Sequence, residues 1–406
     1  MKIIEDSIAA FASFIWGYPL LLLLIGGGIY LLILSRFLPF RYFGHAIQVL
    51  RGKYDDPNDP GQISHFQALT TALSATVGMG NISGVAVAIA MGGPGAIFWM
   101  WISAVVGMST KFFTSSLAIM YRGKDSEGEL QGGPMYFITE GLGKKWKPLA
   151  IFFSACAMIG ALPVFNVNQL TQAVNDILLK PNGVEVTNYT NLVIGVFLVI
   201  ITSIVVLGGL KRIGKVTSRL VPSMVLLYFI LVVVILIVHI EVVPKYFLMI
   251  FTDAFSADFI KEESVLGGVV GALIILGIKR GAFSNEAGVG TAPMAHGAAK
   301  TDEPIREGLV AMLGPFIDTI IVCTLTALAI LVTGVWQTSD TNGVSLTATA
   351  FGNAMPGVGK YLLMICVAIF SISSLFSYSY YGTKSLSFLV GSKYKHLYNY
   401  LFIASI

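Results

Sequence analysis

Charge is what this chain has least of. Only 12% of its 406 residues are Asp, Glu, Lys or Arg, about half the ~25% of an ordinary soluble domain. A water-solvated globular fold is thereby excluded. The net charge of +4 is small and most basic residues fall in connections, so no nucleic-acid partner is expected. Cysteine is scarce too. Cys156, Cys323 and Cys366 lie inside apolar segments without metal-ligand spacing, which reads as packing and says nothing about redox compartment. His45, His65, His239, His296 and His396 are equally scattered. The N-terminus lacks a basic region and a small-residue cleavage site after Leu20–Leu34, so the first apolar run is expected to be retained.

What is abundant is apolar sequence, 55% of the chain, with a mean hydropathy of +0.78. A window of about 20 residues, the length that crosses a bilayer, finds Ile15–Leu34, Phe66–Met91, Ala96–Tyr121, Leu149–Leu178 and Leu192–Leu210. It then finds Val221–Ile240, Val265–Ala299, Leu309–Trp336, Tyr361–Gly382 and an incomplete run from Tyr398 to Ile406. The expectation is an all-α polytopic membrane protein in contact with lipid. Gly133–Leu142 and Thr347–Met355 read as interfacial helices. Alternating the connections puts eighteen Lys and Arg on one side and five on the other. The richer side is cytoplasmic, which predicts a multi-pass cell-membrane protein with its N-terminus outside.

Two of these segments are poor helices. Ser74–Gly84 (SATVGMGNISG) carries three glycines, two serines, a threonine and an asparagine in the middle of Phe66–Met91. Within a membrane, freed peptide groups survive only where protein buries them or a cavity receives them. Ile278–Gly288 (IKRGAFSNEAG) is expected to split Val265–Ala299 into halves of similar length five segments later. Paired interrupted helices at corresponding positions point to a transporter site. Close packing alone accounts for Gly26–Gly28, Gly267, Gly268 and Gly271. It does not account for Asn81, Lys279, Arg280, Asn285 and Glu286, because one charged residue at a helix centre costs about 2.5–3.5 kcal/mol even on the low scales. Lys279 and Arg280 have a bland alternative, a helix end facing the cytoplasm.

Helix N-termini attract anions and C-termini attract cations. The half beginning near Gly80 can therefore offer N–H groups to a carboxylate. Carbonyls near Ser74–Val77 face a cation or an ammonium group, and Asn81 adds a side-chain oxygen. Glycines 78 and 80 keep the wall close, favouring a small zwitterion. Gln169 is a further candidate for substrate contact. Asp318 is the acidic residue of its span and calls for an ion or a pair partner such as Lys279, Arg280 or Lys111. Ser373 and Ser374 can complete a sodium shell, although single serines usually bond back to the preceding turn. Tyr378 is a candidate cavity wall.

These residues resemble a known family. Gly92–Gly107 (GGPGAIFWMWISAVVG) is similar to the signature of the sodium:alanine symporter family, the alanine or glycine:cation symporters. Ile63–Leu69 (ISHFQAL), Gly132–Phe137 (GGPMYF) and Lys279–Gly288 (KRGAFSNEAG) resemble it as well, and the similarity runs from about Trp16 to Gly391. The resemblance implies sodium-coupled carriage of small neutral amino acids, with Na⁺ as coupling ion and no organic cofactor. It also implies membership of the amino acid-polyamine-organocation superfamily. Its fold would be the five-plus-five inverted repeat of the neurotransmitter:sodium symporters, with one extra N-terminal helix at 1–38. The first repeat would cover 64–240 and the second 265–406, its last core helix missing from this chain. The substrate carboxylate would meet the Gly78–Gly80 amides and its amine the Thr76 carbonyl. Sodium would sit between the Ser74 and Val77 carbonyls and Ser373 and Ser374, with a second ion site near Asn81 and Phe283 covering the substrate. Met79 stands where the family often has Thr, and Tyr378 where it often has Trp, leaving side-chain selectivity open.

A close variant and two other classes compete. Proton coupling would use Asp318 and Glu286, whereas a shell of carbonyls and serines favours sodium. A channel would show rings of like charge or repeated filter loops, and an intramembrane enzyme a paired Asp, a based Ser or a metal cluster. None of these is visible in the sequence.

Overall fold

The structure, a computed structural model, describes residues 2–256, 268–339 and 341–406. Val265 and Gly267, at the start of the second expected interrupted segment, and Lys261 of the expected outer set lie outside the described residues. The described residues are mostly helical, and among them one two-residue ladder pairs Gly123–Lys124 with Leu130–Gln131.

The principal helices are α1 (Lys2–Ile15), α2 (Leu21–Leu34), α3 (His65–Thr76), α4 (Gly80–Gly92) and α5 (Gly95–Met120). There follow α6 (Lys144–Asn182, interrupted at Ala161–Pro163), α7 (Asn188–Val206) and α8 (Gly209–Val238). The remainder are α9 (Gly268–Asn285), α10 (Ala292–His296), α11 (Pro304–Val332), α12 (Gly343–Ala354), α13 (Gly359–Val390) and α14 (Lys395–Ala404). Among the described residues six helices, α5 to α8, α11 and α13, are long and apolar enough to cross a membrane, and the bent pair α3–α4 makes a seventh. The apolar stretches of α5, α11 and α13 are mostly buried inside the protein, whereas only a minority of those of α6, α7 and α8 is buried, as in helices that face lipid. The short helices Pro134–Gly141 and α12 lie where interfacial helices were expected.

Local chemistry sets the first break. Ser64 and Gln67 close a capping box at the start of α3, with Ser64 Oγ accepting from the Gln67 amide at 3.2 Å and Gln67 Oε1 from the Ser64 amide at 3.1 Å. Such reciprocal caps fix where a helix begins. At its other end Val77 turns extended, with φ −74° and ψ 90°. The chain resumes as α4 at an angle of 53°, so the interruption falls within the expected glycine-rich stretch.

The second break differs from expectation. Lys279, Arg280 and Gly281 do not interrupt anything; α9 runs through them to Asn285. Lys and Arg are good helix formers, and here both line a chamber beside the helix. The chain leaves the helix at Glu286, whose φ is +53°, and turns at Gly288 and Gly290, with φ +88° and +95°. Left-handed residues of this kind end helices. The following α10 has five residues, so the two halves are unequal. A second difference concerns Lys211, Arg212, Lys215 and Arg219, expected in a connection: they lie on the first turns of α8.

Beyond the breaks, the flanking segments are tied together. Glu307 accepts from His65 Nδ1 on α3 through one oxygen and from His296 Nδ1 on α10 through the other, and all three side chains are buried. Ile63 pairs with Ala299 in a parallel bridge. Arg122 donates to the carbonyls of Gly297, Thr301 and Ala299. A Cβ on Gly132 would lie 2.7 Å from Gly297 Cα, so that crossing of two backbones requires glycine at both positions.

Candidate functional site

Between the two breaks lies a cavity of about 360 Å³. The first break contributes Ala75, Thr76, Gly78, Met79 and Gly80; the second contributes Phe283, Glu286, Val289 and Thr291; α13 contributes Ser374 and Tyr378. Asn166, Phe165 and a run of small residues from α6 complete one wall, and Trp16 reaches in between α1 and α2. A second chamber of about 310 Å³ shares Trp16, Met79, Gly80, Phe165 and Phe283 with it and adds Gln169, Lys279 and Arg280. The Phe283 ring stands between the two, its centroid 6.1 Å from those of Trp16 and Phe165.

The structure brings Thr76, Gly78, Met79, Gly80, Phe283 and Tyr378 to one cavity. Gln169 belongs to the neighbouring chamber. Asn81 is placed elsewhere: it is fully buried, and its amide is committed to the protein. Its Oδ1 accepts from the Gly78 N–H at 2.8 Å. Its Nδ2 donates to Asp318 Oδ1 at 2.6 Å and to Ser284 Oγ at 3.1 Å. Asn81 thus folds the first break back on itself and ties it to α11 and α9. One consequence is that the Gly78 amide already has an acceptor. In the opening turn of α4 the Asn81 N–H donates to the Gly78 carbonyl at 3.2 Å, and its neighbours are the N–H groups that a helix start leaves without intrahelical partners.

Asp318 is fully buried and accepts, besides Asn81, from Ser284 Oγ at 2.9 Å and Thr319 Oγ1 at 2.6 Å. Asn285 reaches the same corner by donating to Thr319 Oγ1 at 3.2 Å. This network braces the two breaks and lines neither chamber. Lys111, also buried, has Glu286 and Asp318 as its opposite charges. Glu286 accepts from Tyr378 Oη at 2.9 Å and from Thr291 Oγ1 at 2.6 Å.

On the other side of the first break, α3 meets the serines of α13. Ser373 Oγ lies 3.5 Å from the Ser74 carbonyl oxygen and donates to Phe370 O at 2.8 Å. Ser374 Oγ donates to Phe370 O at 3.1 Å and would lie 2.8 Å from a Cβ on Gly78. Ser377, whose role was not foreseen, bonds Ser74 Oγ and the Thr71 carbonyl. Ser74, Val77, Ser373 and Ser374 are all buried. The arrangement sets oxygen atoms from two helices around the end of α3, where carbonyls lose their intrahelical partners. Trp16, Phe165 and Thr291 also went unnoticed in the sequence. Nothing in their spacing marks them, since the fold alone carries them to the cavity.

A membrane-embedded bundle in which two interrupted segments face each other across a mostly apolar cavity is the architecture of a secondary transporter. The fold agrees. The chain superposes on MhsT, solved in complex with L-phenylalanine, with TM-score 0.59 at 13% identity, covering 85% of this chain and 80% of that one. It superposes on MHP1, a nucleobase-cation-symport-1 family transporter, with TM-score 0.55 at 10% identity, covering 86% and 74%. The profile of the sodium:alanine symporter family matches residues 1–406. The chain belongs to that family. It is similar to the sodium/alanine symporter AgcS of Methanococcus maripaludis, 43% identical over 400 residues, covering 96% of this chain and 85% of that protein. It is accordingly an integral membrane protein and a secondary amino-acid transporter.

Proposed function

We propose that the protein couples the inward movement of Na⁺ to that of a small neutral amino acid, alanine or glycine, by alternating access. The observation that carries this reading is the junction of Ser74, Gly78, Ser373 and Ser374 at the edge of a cavity that both breaks line. An ion held there by the Ser74 and Val77 carbonyls and the two serine hydroxyls sits beside the substrate, so each binds better with the other present. The substrate carboxylate faces the N–H groups opening α4, and its ammonium faces the Thr76 carbonyl. Phe283 and Tyr378 close over a short side chain. A second ion site near Asn81 fits less well, because its amide is engaged.

In this reading the protein sits in the cell membrane with its N-terminus outside, and the Glu307 cluster lies toward the cytoplasm. The helices form two inverted five-helix repeats after an extra N-terminal helix, within the amino acid-polyamine-organocation superfamily. The sequence relatives support sodium and alanine through the name of AgcS. Binding of radiolabelled alanine to purified protein tests the coupling without a membrane. Affinity should rise with Na⁺ and not with choline or with acidification. Equal binding in choline would remove sodium from the mechanism.

A further inference from the structure

Among the described residues, Glu286 is the only charged side chain lining the cavity between the breaks. It does not merely lie nearby. It is the residue at which α9 ends, held at φ +53°, a conformation that a residue with a side chain adopts at a cost of strain. Both hydroxyls bonded to it, Tyr378 Oη on Oε1 at 2.9 Å and Thr291 Oγ1 on Oε2 at 2.6 Å, belong to residues of the same cavity wall. With a hydroxyl on each oxygen, the carboxyl group is held in one orientation at the cavity wall. Neither donor is charged, so the contacts orient Glu286 without neutralising it. Lys111, a buried cation, has Glu286 and Asp318 alike as opposite charges. Asp318 is satisfied by Asn81, Ser284 and Thr319 and stands outside the cavity. Of the two carboxylates opposite Lys111, Glu286 is therefore the one that faces the ligand.

We infer that Glu286 is a specificity-determining residue that serves as counter-ion to the α-ammonium group of the substrate. The inference rests on the amino-acid reading above and deepens it. A wall of apolar side chains and peptide groups distinguishes ligands mainly by size. A fixed carboxylate, oriented by two hydroxyls, adds discrimination between an ammonium group and an uncharged isostere. It attracts the former and repels a ligand whose only charge is its own carboxylate. Amino acids are then admitted, while 2-hydroxy acids of identical shape are rejected.

The test uses the full chain in proteoliposomes and the isosteric pair L-alanine and L-lactate. Sodium-driven alanine uptake by the unmodified protein comes first; if it is absent, the functional reading fails and not the role of Glu286. Given uptake, Glu286→Gln should raise the half-saturating alanine concentration about 10- to 100-fold, the value of one charge-assisted bond. The concentration of lactate that inhibits should stay the same or fall, so the preference for alanine collapses. Glu286→Asp keeps the charge but withdraws it, and should give an intermediate preference even where the Gln variant does not insert. Thr291→Val removes a donor and leaves the carboxylate, so its preference should persist although its maximal rate drops. The inference is overturned if the Gln or Asp variant retains the wild-type preference for alanine over lactate. It is also overturned if Thr291→Val loses that preference as fully as Glu286→Gln does, since Glu286 would then only clamp the break.

Discussion

Replacing Gly78 by Ala is the most informative perturbation of the proposed ion site. The added Cβ would lie 2.8 Å from Ser374 Oγ, and ordinary contact begins at 3.4 Å. One of the two must therefore move by about 0.6 Å. Ser374 can yield by giving up its 3.1 Å bond to the Phe370 carbonyl, which swings the hydroxyl away from the end of α3. An oxygen lost from around a cation is worth about 1.5–3 kcal/mol, by analogy with hydrogen bonds to charged groups. That corresponds to roughly a 10- to 150-fold rise in half-saturating Na⁺. Ser374→Ala removes the same oxygen directly and should cost about as much. If both act through one oxygen, the double variant will be no worse than the poorer single. The interaction energy in the cycle would then be about 1 kcal/mol or more. The assay is alanine uptake into proteoliposomes as a function of external Na⁺ for the four proteins. Strictly additive losses, or unaltered Na⁺ dependence in Gly78→Ala, would refute the placement of sodium at this junction.

Other consequences can be checked separately. Glu307→Ala leaves the His65 and His296 side chains without their shared acceptor. At about 1–3 kcal/mol for each orphaned donor, the melting midpoint in detergent should fall clearly; an unchanged midpoint would mean that the cluster adds no stability. Asn81→Ala frees the Gly78 amide and strips one donor from Asp318. It should lower both the melting midpoint and transport, and loss of transport alone would put Asn81 at the substrate instead. Gly297→Ala would set its Cβ 2.7 Å from the Gly132 backbone, a clash that no rotamer relieves. That variant should fail to yield monodisperse protein, and normal yield would show that the crossing is looser than drawn.

The first break was legible because glycine, serine and asparagine interrupt an apolar span where nothing else would tolerate them. The second falls at the C-terminal end of the expected stretch Ile278–Gly288, and not at its charged start. Lys279 and Arg280 lie within a continuous helix that borders a chamber. The informative signals were Glu286, Gly288 and Gly290, whose positive φ angles end α9. Attention to charge placed Lys211–Arg219 in a connection, when long basic side chains can leave a helix end toward water. Asn81 was recognisable as important but not as a brace, because its partners Ser284 and Asp318 are more than 200 residues away. Trp16 and Phe165 could not have been selected at all. Aromatic residues are common in such segments, and only the tertiary fold brings these two against Phe283.

Uptake of alanine by proteoliposomes under an imposed Na⁺ gradient addresses the proposed activity most directly. Accumulation should require inwardly directed Na⁺, collapse when choline replaces it, and be indifferent to a pH gradient of equal size. Accumulation driven by the pH gradient alone would contradict it.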